Sequence, residues 1–82
     1  MTKAAVDLTG DMLRNHWADK VRSRRTELRM TQRDLAAAVG VHQNAIHQIE
    51  AAVTFPTDPH KLRIAQALRI HPSDLFTWPV SR

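Results

Sequence analysis

Residues 42–51 hold a run of side chains that suit one kind of chemistry. The run reads His-Gln-Asn-Ala-Ile-His-Gln-Ile-Glu-Ala. Wound at 3.6 residues per turn, it puts His42, Gln43, Asn44, His47 and Gln48 on one side and Ile46 and Ile49 on the other. An exposed helix face ordinarily carries Glu, Lys and Arg, which favour solvation and intrahelix pairs. Here it carries amides and imidazoles, which both donate and accept hydrogen bonds. Reading base edges in the major groove of a duplex requires that capacity. On residue types alone, ordinary solvated side chains remain the alternative.

Such a face must be held outward by the elements behind it. Thr31 is an N-cap, with Asp34 three residues on in the capping-box position. Leu35, Ala36, Ala38 and Val39 follow as a short second helix, which Gly40 ends because glycine takes φ > 0 cheaply. Ala36 is small enough for two helices to cross there. Leu35, Val39, Val41, Ile46 and Ile49 are the apolar set that locks the pair, and His42 opens the third helix.

Upstream, Leu13, Trp17, Val21 and Leu28 recur on one face and predict a first helix over 11–29, with Thr9 and Asp11 as candidate caps. Downstream, Thr54–Thr57 reads as a loop. Asp58-Pro59 reads as a helix start with Asp as the cap, and Leu62, Ile64, Ala65 and Leu68 carry a fourth helix. His71-Pro72-Ser73 begins a short fifth turn, from which Leu75, Phe76 and Trp78 project. No strand, repeat or low-complexity tract appears. The expectation is an all-α, compact five-helix bundle: a flexible arm at 1–10, a domain at 11–78 and a tail at 79–82.

The 82-residue chain carries 12 Lys and Arg against 8 Asp and Glu. Arg14, Lys20, Arg22, Arg24, Arg25, Arg29 and Arg33 crowd one stretch, opposed there by Asp19 and Glu27. That stripe is either the footprint of a polyanion binder or a solvated helix face. No cysteine is present, which removes disulfides and cysteine metal sites and fits a reducing cytoplasm. The apolar stretches are broken by charges, and no membrane span is expected. Of five histidines, His42 and His47 are five apart and do not share a helix face as i, i+4 ligands would. His60 and His71 lie farther down the chain, and no HExxH occurs. Neither a glycine-rich phosphate loop nor a nucleophile elbow appears. No metal, cofactor or enzymatic activity is expected.

The ordered set Thr31-Gln32, Leu35-Ala36, Gly40-Val41, Ile46, Ile49-Glu50, Pro56, Leu62 to Ala65-Gln66-Ala67-Leu68 and Ser73-Asp74-Leu75-Phe76 resembles the lambda-repressor and Cro-like helix-turn-helix family, its phage-repressor branch in particular. The resemblance runs from Val21 to Phe76. It implies five helices, a recognition helix at about 42–51, and a homodimer on a palindromic operator in double-stranded DNA. By position it implies base reading by Gln43, Asn44 and Gln48, with Gln43 a bidentate partner of adenine. It leaves His47 to a base or a phosphate. Thr31 and Gln32 would hold phosphate at the second helix start, with Arg25, Arg33 and His42 as further phosphate contacts. Arg25 and Glu50 match a salt bridge found in part of the family.

Four features depart from that pattern. Ala51-Ala52 stands where a polar residue and glycine usually end the third helix, so that end either runs on or is strained. Val53-Thr54-Phe55 lacks the basic residues many relatives place there, leaving weaker DNA binding or an apolar surface for a partner. Asp58-Pro59 replaces an apolar residue, and Arg69 a common glycine. The implied function is a small transcriptional repressor of a phage or similar mobile element. An antitoxin-like autoregulator and a protein-interaction module are the alternatives.

Overall fold

The computed structural model describes residues 10–79. Five helices follow in order: α1 Gly10–Glu27, α2 Gln32–Val39, α3 Gln43–Glu50, α4 Asp58–Ala67 and α5 Pro72–Leu75. No strand occurs among the described residues, and no helix among them is long and apolar enough to cross a membrane. Gly10, placed in the arm by sequence, is the first residue of α1. The rest of that arm, the Thr9 cap and the tail beyond Pro79 lie outside the described residues.

One apolar cluster joins the helices. Val21, Leu35, Ala36, Val39, Ile46, Ile49, Ile64, Ala65, Leu68 and Leu75 are buried. Leu28, Met30, Val41, Ala67, Ile70 and Phe76 pack against them. Each fully buried aliphatic side chain contributes roughly 1.5–3 kcal/mol over its exposed state. Trp17 is 7% exposed. Its indole N–H donates to the Thr77 carbonyl at 2.7 Å, and its ring meets Phe55 and Phe76 edge-on at 5.6 and 5.5 Å. The segment after α5 is thereby tied to α1.

Helix ends follow a shared plan. Thr31 caps α2, and Asp34 returns a bond to the Thr31 N–H, completing the capping box. At the far ends of α1, α2, α3 and α4 the chain leaves through a left-handed residue: Arg29, Gly40, Ala52 and Arg69 in turn. The next residue donates its N–H five positions back, as Met30 to Arg25, Val41 to Ala36, Val53 to Gln48 and Ile70 to Ala65. This is the Schellman closure, which glycine favours because it has no Cβ. Only one of the four has glycine.

Three expectations are corrected. α1 stops at Glu27 rather than 29, because Arg29 turns left-handed without a glycine to announce it. The α4 cap is Thr57, one residue before Asp58: its hydroxyl accepts from the His60 N–H, and Pro59 still fits the first turn. Leu62 is 57% exposed and faces away from the core that Ile64, Ala65 and Leu68 enter.

Candidate nucleic-acid interface

α2 and α3 are joined by Gly40, Val41 and His42 alone. Gly40 has φ 85, and Ala36, 3% exposed, lets the two helices approach. The His42 side chain caps α3, its Nδ1 accepting from the Asn44 N–H at 3.1 Å. A backbone N–H can only donate, so Nδ1 is the acceptor and the ring hydrogen sits on Nε2. His42 thus caps its helix and keeps a donor on the opposite ring edge.

α3 buries Ile46, Ile49 and Glu50 and leaves His42, Gln43, Asn44 and His47 exposed. Gln48 is half-buried. Two shallow hollows adjoin along this face. One is lined by Arg25, Met30, Thr31, Gln32, Arg33 and Gln43, the other by Gln32, His42, Gln43, Asn44 and His47. They share Gln32 and Gln43. The fold therefore gathers eight of the ten residues singled out by sequence onto one surface. Gln48 lines neither hollow, and Glu50 lies behind them.

Glu50 anchors α3 from inside. Its carboxylate accepts from Arg25 Nε at 2.7 Å and Arg25 Nη2 at 2.9 Å, and from the Gln32 amide at 3.1 Å. Arg25 Nη1 donates to the Met30 carbonyl at 2.7 Å, and Arg22 Nη1 to the Glu50 carbonyl at 3.1 Å. α1, the first residue of α2 and the last residue of α3 are thus fixed to one another. The hydrogen bond to Glu50 raises the Arg25 pKa, burial opposes the rise, and the carboxylate charge adds to it. No buried side-chain nitrogen or oxygen among the described residues lacks a partner. Removing one member of such a buried pair leaves a charge uncompensated and costs about 3–5 kcal/mol.

The basic stripe of α1 is largely occupied within the fold. Arg14 pairs with Asp11 and Arg22 with Asp19. Arg24 pairs with Glu27 and donates to the Leu68 and Arg69 carbonyls at the end of α4. Arg33 is exposed beside the first hollow. Sequence reasoning missed Met30 as a wall of that hollow, the Gln32–Glu50 bond and the Arg22 contact. Each joins distant positions and leaves no local pattern. Among the described residues no group of three or more His, Cys, Asp or Glu could hold a metal ion.

A helix-turn-helix family model matches residues 21–75. No curated protein matches the sequence. Similar solved structures include the following three. The restriction-modification controller protein C.AhdI from Aeromonas hydrophila is 25% identical with a TM-score of 0.74, the match covering 77% of this chain and 96% of that one. The DNA-binding domain of the P22 c2 repressor is 32% identical with a TM-score of 0.72, covering 79% and 86%. A helix-turn-helix family transcriptional regulator from Vibrio cholerae is 25% identical with a TM-score of 0.76, covering 83% of this chain and 38% of that one.

Proposed function

This chain belongs to the helix-turn-helix family of DNA-binding regulators, and from that premise we propose that it is a small Cro-like repressor that reads a palindromic operator as a homodimer through α3. The observation that carries the reading is the division of α3. Ile46, Ile49 and Glu50 lock one face to the core, while Gln43, Asn44 and His47 stand exposed on the other.

In this reading α3 enters the major groove. The Gln43 amide pairs with the N6 and N7 groups of an adenine, a contact worth about 1–3 kcal/mol of discrimination. Asn44 and His47 read neighbouring pairs, and Gln48 contributes at the margin. The N–H groups of Gln32 and Arg33 open α2 without intrahelical partners, and the positive end of that helix favours a phosphate there. Thr31 and Arg33 line the hollow at that end, and His42 lines the adjoining one. Arg25 adds one uncommitted N–H on each terminal nitrogen. The phosphate contacts set register and the amides set sequence.

Selection of bound duplexes from a random pool tests this. The expected product is an inverted repeat with half-sites about one helical turn apart, bound at least ~10³-fold tighter than random DNA. Loss of affinity with salt should follow a slope near −0.9 per neutralised phosphate. A pool that yields no shared sequence sinks the proposal. A second reading, an autoregulator acting on its own promoter, draws on the likeness to the controller protein, nearly all of which this chain covers. An inverted repeat just upstream of the gene for this chain supports it.

A further inference from the structure

Two of the left-handed residues that close helices are arginines. Arg29 follows α1 at φ 58, and Arg69 follows α4 at φ 55. Glycine takes this backbone without the clash a Cβ brings, so an arginine there lowers folding stability. Both residues are exposed. Neither guanidinium makes an ion pair or a hydrogen bond among the described residues. Backbone strain of this kind is kept at positions that carry a function.

The fold holds the two junctions together. Arg24 of α1 donates from Nε to the Leu68 carbonyl at 2.8 Å and from Nη2 to the Arg69 carbonyl at 3.1 Å. Leu28, Met30, Ala67 and Arg69 line one hollow between the ends of α1 and α4. Arg29 stands between two of its walls in the chain.

We infer that Arg29 and Arg69 grip the phosphate backbone of the DNA that flanks each half-site. This rests on the DNA reading above and adds to it a contact beyond α2 and α3.

Position is the first argument. Met30 walls both this hollow and the one formed with Arg25, Thr31, Gln32 and Arg33. That second hollow shares Gln32 and Gln43 with the hollow along α3. The three follow one another, and the arginine hollow shares no wall with the α3 hollow. A duplex whose bases meet α3 and whose phosphate meets the start of α2 continues past Met30 to Arg29 and Arg69. Contact there is with phosphate alone and carries no sequence information.

Charge is the second. Arg25, Arg33 and Arg69 are walls of this series of hollows, and no Asp or Glu lines any of them. The acids near these arginines in the fold are engaged: Glu27 by Arg24, Asp34 by the Thr31 cap and Glu50 by Arg25. The positive charge of Arg29 and Arg69 is thus left for an outside anion. A guanidinium suits a phosphate, to which it can donate two parallel hydrogen bonds.

Fluorescence anisotropy with the full chain tests the inference beside the double variant Arg29→Gly/Arg69→Gly. The duplexes are the selected operator trimmed at the half-sites and the same operator extended at both ends by about one helical turn. Glycine suits both backbones, so the variant is expected to melt higher than wild type, and lost affinity is then not lost folding. The wild type is expected to bind the extended duplex at least about fivefold tighter than the trimmed one, and the variant to bind both alike, with a salt slope shallower by about 1.8 per chain, from about 0.9 per phosphate contact. Base preference should be the same in both proteins. The pair Arg29→Gln/Arg69→Gln, which keeps the backbone strain, should lose the same affinity. Equal affinity and slope for wild type and variant on the extended duplex overturn the inference. So does a loss half as large from Lys20→Gln, which removes one charge at a hollow sharing no wall with the other three and would make net charge the cause. Should the wild type show no preference for the selected operator, the DNA reading fails. Random duplex then decides the surface, and the wild type is expected to keep the steeper slope there.

Discussion

Arg25 and Glu50, 25 positions apart in sequence, meet as a two-bond ion pair with N···O distances of 2.7 and 2.9 Å. The side chains are 13% and 2% exposed. The pair fixes the end of α3 to α1. The Gln32 bond to the same carboxylate carries the connection to the start of α2.

Breaking this pair from one side has a predictable cost. Glu50→Ala is expected to lower unfolding free energy by up to about 3–5 kcal/mol, because the part-buried Arg25 is left without its partner. The paired change Arg25→Met with Glu50→Leu is expected to fall within about 1 kcal/mol of wild type or above it. Urea denaturation of the three proteins makes the comparison. Equal losses in the single and paired variants would contradict the account.

Three non-glycine residues hold left-handed backbone: Arg29 at φ 58, Ala52 at φ 61 and Arg69 at φ 55. That conformation costs an L-residue about 1–2 kcal/mol, partly offset by the greater chain entropy glycine loses on folding. Ala52→Gly is therefore expected to stabilise the protein by about 0.5–1 kcal/mol, read as a rise in the urea midpoint at constant slope. A fall in the midpoint would show that the end of α3 is not strained.

The capping box gives one acid-sensitive contribution. The Thr31 N–H bond and then the Thr31 hydroxyl hold the Asp34 carboxyl below its ordinary value; desolvation opposes them, and the Arg33 charge adds a smaller lowering. A depressed carboxylate stabilises the fold fully above its unfolded pKa of about 3.9. The contribution is lost as pH falls through the lower folded value. The melting-temperature gap between wild type and Asp34→Ala should hold from about pH 7 to about pH 5 and close toward about pH 2. A gap that persists unchanged in acid would rule out the ionised carboxylate as its source.

These cases show what the sequence disclosed and why. Thr31, Asp34 and Gly40 act within one turn, so their residue types announce the ends of α2. Ile46, Ile49, Ile64 and Leu68 repeat at helical spacing, so the core was legible. Arg29, Ala52 and Arg69 carry no glycine signal, and the end of α1 was placed two residues late. Thr57 and Asp58 are both capping types, so only the backbone decides between them. Leu62 is apolar but faces outward, and periodicity does not say which of two apolar faces is buried. Counting positive charge on α1 suggested a free basic stripe. The partners of Arg14, Arg22 and Arg24 appear only when the chain is folded. The outer side of α3 stood out because His42, Gln43, Asn44, His47 and Gln48 include no acid or fixed cation, an unusual choice for solvent alone.

The most direct measurement concerns Gln43. On the selected operator and its single-base variants, the wild type should discriminate at one adenine by about 1–3 kcal/mol, roughly 5- to 150-fold. Gln43→Ala should erase that preference at that position alone, with an unchanged melting curve. An unchanged preference in the variant would contradict the claim that the exposed side of α3 reads the bases.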